Sequence, residues 1–103
     1  MSKMINVVDR TEKELARVER SIKKLLSANQ GAWGNIGDVR WGETCDGMHW
    51  VDIDNDGKIG ELIAREINKS QFASVRRVDE FDGTYDWASD SYSRPCSVVY
   101  FTI

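Results

Sequence analysis

Residues 96–103 read Cys-Ser-Val-Val-Tyr-Phe-Thr-Ile, a nearly continuous run of residues that favour β-strands. It is the most apolar run in the C-terminal third of the chain. A strand without polar alternation is typical of the middle of a sheet, where neighbouring strands and packed helices surround it. The run therefore predicts the central strand of an antiparallel sheet, with helices covering one face.

An amphipathic helix is predicted over residues 11–29. Its apolar positions recur at helical spacing, with Lys, Arg and Glu between them: Leu15, Val18, Ile22, Leu25 and Leu26. Thr11 and Glu14 form the pattern of a capping box, which predicts that the helix starts at Thr11. The segment from Asn29 to Gly31 predicts its end.

A second, shorter helix is predicted from Ile59 to about Lys69 by the spacing of Leu62, Ile63 and Ile67. Gly60 weakens a helix, so an extended strand from Lys58 is the alternative. Both interpretations place this element after a run of acidic residues.

The remaining segments favour strands. A glycine-rich connection around Trp33 leads to a predicted hairpin of residues 39–43 and 48–53, joined through residues 45–47. Residues 74–81 predict a further strand, followed by an Asp-Gly turn and a strand-like stretch around Tyr85 and Trp87. The predicted fold is a single α+β domain, residues 1–103, with an antiparallel sheet, two helices and the order α-β-β-α-β-β-β.

Composition limits the class of protein. The chain has 103 residues and a mass of 11.7 kDa, with 30% charged and 41% hydrophobic residues, as expected for one folded domain. Its first residues lack the apolar stretch of a signal peptide, and no window approaches the roughly 18 apolar residues of a membrane span. A cytoplasmic location follows, with Cys45 and Cys96 as reduced thiols. Two cysteines and one histidine cannot supply four zinc ligands, so neither a cofactor nor a structural metal is expected.

Residues 52–57, Asp-Ile-Asp-Asn-Asp-Gly, resemble the start of a calcium-binding loop of the EF-hand type, with Asp52, Asp54 and Asp56 as oxygen ligands. Position 12 of that loop, which needs a bidentate Glu, is Ile63. The favoured interpretation is a strand ending near Ile53 and an Asp-Gly turn whose glycine has a positive φ. A weak cation site of the three aspartates, completed by water, is the alternative.

Catalytic patterns are weak. His49 lies four residues from Cys45, but the two would flank a hairpin turn and need not reach each other. Asp52 and Asp54 share one side of a strand, although a chain of this length offers little cleft for a substrate. The chain also lacks the glycine spacing of a phosphate-binding loop and the serine motif of hydrolases. The sequence therefore predicts a protein that is not an enzyme.

Acidic and aromatic residues alternate between positions 79 and 92, without any basic residue. Such a surface suits docking on a basic protein, because carboxylates steer the encounter and aromatic rings supply buried anchors. The alternative is a solvated hairpin whose aromatic rings turn into the core. The predicted partner-binding residues are Asp79, Glu80, Asp82, Tyr85, Asp86, Trp87, Asp90 and Tyr92.

The first helix has the opposite charge. Residues 1–30 carry seven basic and four acidic side chains, whereas the whole chain has a net charge of −3. Nucleic-acid binding would use Arg17, Arg20, Lys23 and Lys24, but the acidic remainder of the chain disfavours it.

By exclusion, the sequence favours a protein-binding module. We expect a small inhibitor or regulator, of the type that phages and mobile elements use against host defence, which docks on a basic host protein such as a nucleic-acid-binding protein. The alternatives are nucleic-acid binding through the first helix and weak calcium binding at residues 52–56. No membrane partner is expected, and the sequence does not define the oligomeric state.

Overall fold

The computed structural model describes residues 7–31 and 36–103. Its elements follow the predicted order, and the stretch around Tyr85 and Trp87 forms two short strands. They are α1 (Val7–Ala28), β1 (Ile36–Glu43), β2 (His49–Asn55), α2 (Gly60–Asn68), β3 (Ser74–Phe81), β4 (Thr84–Asp86), β5 (Ser91–Ser93) and β6 (Cys96–Thr102). The predicted connection around Trp33 lies outside the described residues, apart from its ends.

The four long strands form an antiparallel sheet in the order β1-β2-β6-β3. The prediction that residues 96–103 form a central strand is confirmed, because β6 pairs with β2 on one side and β3 on the other. Strands β4 and β5 form a separate two-stranded sheet.

Both helices contribute to one hydrophobic core against one face of the sheet. Side chains on β2 and β6 that point to this inner face are fully buried, including Val51, Ile53, Val99 and Phe101. They meet buried residues of both helices, among them Ile22, Ile63 and Ile67. Burying one such side chain stabilises the fold by about 1.5–3 kcal/mol, so this layer accounts for the α+β architecture. No helix among the described residues is long and apolar enough to cross a membrane.

The start of α1 differs from the prediction. The helix begins at Val7, so Thr11 lies inside it and is not the N-cap. Glu14 is buried, accepts a hydrogen bond from the hydroxyl of Ser70, and lies 3.5 Å from the guanidinium of Arg17. These contacts occupy the carboxylate that the capping box would need, and the helix continues one turn further toward the N-terminus.

The turn between β2 and α2 also differs in detail. Strand β2 extends to Asn55, and the positive φ falls on Lys58 (55°) and not on Gly57. The reason is the Asn55 side chain, whose Oδ1 accepts hydrogen bonds from the backbone N–H groups of Gly57 and Ile59, both 3.1 Å. The helix predicted after the turn is confirmed, and the alternative of an extended strand is wrong.

Candidate functional site

A projecting hairpin, residues 82–94, carries most of the predicted partner-binding residues, and we call it the arm. Strand β4 pairs only with β5, with Tyr85 directly opposite Tyr92, and neither strand joins the four-stranded sheet. The arm leaves β3 through Asp82 and Gly83, which lie in neither a strand nor a turn, so the Asp-Gly turn predicted at this point is wrong; the turn of the arm lies at residues 87–90. A side chain at Gly83 would collide with the hydroxyl of Tyr92, so this close approach requires glycine.

One face of the arm is aromatic. Cross-strand partners share a face, and residues two apart on a strand share a face, so Tyr85, Tyr92 and Trp87 lie together. The rings of Tyr85 and Trp87 pack edge to face, with centroids 4.7 Å apart. Trp87 is nevertheless 87% exposed, Tyr92 63% and Tyr85 42%. The interpretation in which these rings turn into the core is therefore wrong.

The arm also carries three exposed carboxylates, those of Asp82, Asp86 and Asp90, and Asp86 alternates with Tyr85 to the opposite face of β4. Asp86 accepts hydrogen bonds from the hydroxyl of Ser89 (2.8 Å) and the backbone N–H of Ala88 (3.0 Å). Because these bonds favour the ionised form, they lower the pKa of Asp86. Asp90 has a positive φ of 51°, a conformation that Asp and Asn tolerate. The tip of the arm therefore holds its charges in a defined turn.

The other two acidic residues of the predicted set have internal partners. Asp79 lies on β3 and pairs with Arg77, Nε to Oδ2 2.9 Å. Glu80 accepts hydrogen bonds from the backbone N–H of Gly60 (2.9 Å) and from the hydroxyl of Ser97. Glu80 thus ties the start of α2 to the sheet, and the candidate surface is concentrated in the arm.

Phe81 extends the aromatic surface, although we did not include it in the predicted site. It is the last residue of β3, directly before the arm, and is 52% exposed. Its cross-strand partner is Cys96, which places both on the face of the sheet that carries Asp54. Strand alternation from Val78, which is partly buried against the core, would have indicated this placement.

The aspartates of the calcium-like loop do not converge on one point. Asp52 and Asp54 lie on the outer face of the sheet, and the guanidinium of Arg40 binds both, at 3.1 Å and 2.6 Å. These two carboxylates raise the pKa of Arg40. Asp56 lies beyond the strand, in the exposed turn. Within residues 7–31 and 36–103, no group of three or more His, Cys, Asp or Glu side chains is placed to hold a metal ion.

Asn55, between these aspartates, has a structural role. Its Nδ2 donates hydrogen bonds to the carbonyl of Ile53 (2.8 Å) and the hydroxyl of Ser97 (3.0 Å), while its Oδ1 holds the turn. The side chain is buried and joins β2, β6 and the start of α2. The polar run that resembles a cation site therefore serves the fold at this position.

Helix α1 presents a basic face to solvent. At 100° per residue, Arg17, Arg20 and Lys24 lie within an arc of about 60°, together with Lys13, which sequence reasoning missed. All four are exposed, opposite the buried Val18 and Ile22. We call Lys13, Arg17, Arg20 and Lys24 the basic stripe. Lys23, which was predicted to belong to it, lies to one side by the same geometry.

The residues weighed for catalysis do not form an active site. His49 is buried on the inner face, with its ring 5.5 Å from that of Phe101, whereas Cys45 is exposed in the β1–β2 turn. The open grooves along the helices and beside the arm enclose 160 to 350 Å³, mostly below the roughly 300–1,000 Å³ of small-molecule sites.

Comparison with protein-family models, curated proteins and solved structures finds no match to this chain.

Proposed function

We propose that this chain is a non-catalytic protein-binding module, acting in the cytoplasm as a small inhibitor or regulator, that docks on a basic surface of its partner through the arm. The observation that carries the proposal is the exposure of Trp87, at 87%, beside two half-exposed tyrosines on one face. Large exposed aromatic patches mark interaction sites, and Trp and Tyr are the residues most enriched at binding hot spots.

The charge of the arm supports a basic partner. The arm carries three exposed carboxylates and one exposed basic residue, Arg94, and the carboxylates form no ion pair with any described residue. A surface rich in Arg and Lys would supply both counter-charges and cations that stack on the rings. A protein that binds nucleic acid presents such a surface, and the arm would then compete with the nucleic acid.

Two variants test the proposal. Trp87→Ala removes the main aromatic anchor. The triple variant Asp82→Asn, Asp86→Asn, Asp90→Asn removes the three negative charges. Asn keeps a hydrogen-bond acceptor at position 86 and tolerates the positive φ at position 90. Phe72→Ala is the matched control, because Phe72 is also exposed (45%) but lies outside the arm.

Each protein is immobilised, incubated with nuclease-treated lysate of a bacterial host, and the captured proteins are identified and quantified by mass spectrometry. We expect a basic protein captured in stoichiometric amount by the wild type and by Phe72→Ala, and lost by more than about tenfold in both arm variants, as truncation of a hot spot predicts. Capture that persists in both arm variants would refute docking through the arm.

A second candidate function is nucleic-acid binding through α1, which the exposed face of Arg17, Arg20 and Lys24 favours. Such binding would weaken steeply with salt, because it releases counterions from phosphate. A gel shift at low salt that disappears in the double variant Arg20→Glu, Lys24→Glu would support it. The absence of any shift by the wild type would eliminate it.

A further inference from the structure

The basic stripe and the arm carry opposite charges, most of which have no ion-pair partner among the described residues. Arg17 lies 3.5 Å from Glu14, and the other three residues of the stripe form no ion pair with a described residue. The same holds for the three exposed carboxylates of the arm. Among the described residues, no ion pair joins the stripe to the arm within one copy, so both surfaces remain available to charges on another molecule.

The two surfaces also match in length. The stripe spans eleven residues of helix from Lys13 to Lys24, about 16 Å at 1.5 Å per residue. From Asp82 to Asp86 the arm covers four residue steps, of which the last two lie in β4, and so spans at most about 13 Å at 3.3 Å per residue. Oppositely charged side chains can therefore pair along most of the stripe.

The aromatic face supplies a second kind of contact. Arg and Lys stack favourably on aromatic rings when the cation lies within about 6 Å of the ring centroid. The chain contains such a pair on its sheet, where the guanidinium of Arg77 lies 4.3 Å from the ring centroid of Tyr100. Trp87 and Tyr92 are exposed enough to receive Arg17 or Arg20 in the same way.

We infer that a second copy of this chain occupies the arm, with the basic stripe of α1 from each copy lying against the arm of the other. A two-fold arrangement makes both contacts at once and closes the assembly as a dimer. The inference rests on the arm being the docking surface of the proposed function, and it adds regulation to that surface. A basic partner must displace the stripe, so partner binding and self-association exclude one another.

Light scattering coupled to gel filtration tests the inference. We expect the mass of the wild type to approach twice 11.7 kDa at low salt and high protein concentration. It should return to 11.7 kDa at about 0.15 M salt, where the screening length falls to about 8 Å. A wild type that has the monomer mass at every concentration in low salt would overturn the inference.

Charge reversal makes the test specific. The stripe variant Arg20→Glu, Lys24→Glu and the arm variant Asp82→Lys, Asp90→Lys should each remain monomeric, because like charges then face each other. Mixed in equal amounts, the two variants should restore the dimer mass, since each reversed surface meets its complement. A control for the arm variant, Asp38→Lys with Glu61→Lys, raises the net charge by the same amount at exposed positions elsewhere and should dimerise like the wild type.

Each variant is first checked for an unchanged melting temperature, so that loss of the dimer cannot reflect unfolding. Reversal variants that dimerise on their own, or a mixture that stays monomeric, would overturn the inference. The proposed function can fail separately. A monomeric wild type that still captures its partner through the arm would remove self-association alone, whereas a charge-dependent dimer without arm-dependent capture would remove the proposed function alone.

Discussion

Replacing Asn55 with Ala should be among the most damaging single changes outside the hydrophobic core. The buried side chain makes four hydrogen bonds: it donates to Ile53 and Ser97 and accepts from Gly57 and Ile59. Each bond contributes about 1 kcal/mol net, and a buried group left without a partner costs about 1–3 kcal/mol. Allowing for partial relaxation, we expect a loss of about 3 kcal/mol in the free energy of unfolding.

The assay is thermal and urea denaturation followed by circular dichroism. For a domain of this size, about 3 kcal/mol corresponds to a fall in melting temperature of roughly 12–24 °C. Asn29→Ala is the matched control, since Asn29 makes one side-chain hydrogen bond, from Nδ2 to the carbonyl of Leu25 at 2.8 Å, at the end of α1. It should lose only about 1 kcal/mol.

The urea slope should stay unchanged if only the folded state is affected. A loss for Asn55→Ala no larger than that of the control would refute the reasoning that this residue holds the turn, β6 and α2 together. The interpretation of residues 52–57 as part of the fold would then lose its main support.

Three further outcomes follow from the sheet and its outer face. Gly42→Ala should lower the free energy of unfolding, measured by urea denaturation, by about 1–3 kcal/mol, because a methyl group at this position would overlap the ring of Trp50. The displaced ring should also change the near-ultraviolet circular dichroism, and an unchanged spectrum would argue against this contact. Calcium should leave the melting temperature within about 1 °C, since Arg40 already binds the two strand aspartates; a rise of several degrees, as mass action predicts for a ligand of the folded state, would show a cation site. Iodoacetamide should modify the exposed Cys45 well before Cys96. Burial and two nearby carboxylates raise the pKa of the Cys96 thiol, so the reactive thiolate of Cys96 forms only at higher pH. Equal rates of modification of the two cysteines, measured by mass spectrometry at neutral pH, would contradict this.

The parts of the fold that local patterns determine were predictable. The bounds of β3 and the central position of β6 were correct, because β-forming residues and flanking turns lie within the segments themselves. The helical face of α1 was also correct, since its apolar spacing needs no tertiary information. Its start was wrong because Glu14 is used by Ser70, 56 residues away.

The candidate site shows the same division. The run of acidic and aromatic residues indicated the arm, but its exposure depends on β4 and β5 pairing with each other and not with the main sheet. The partners of the calcium-like aspartates were missed because Arg40 lies 12 to 14 residues upstream, on the neighbouring strand. The role of Asn55 was missed because Ser97 lies 42 residues away in sequence. Single-sequence patterns do not report such pairs.

The buried core and the exposed aromatic face lie in different parts of this chain. The core residues that hold α1, α2 and the sheet together are buried, and none of them lies in the arm. Trp87 makes its ring contact within the arm, with Tyr85. Because its surface stays in water in the isolated protein, Trp87→Ala removes little hydrophobic stabilisation. In the docking that we propose, a partner would cover this ring, and the free energy of burying it would contribute to binding and not to folding.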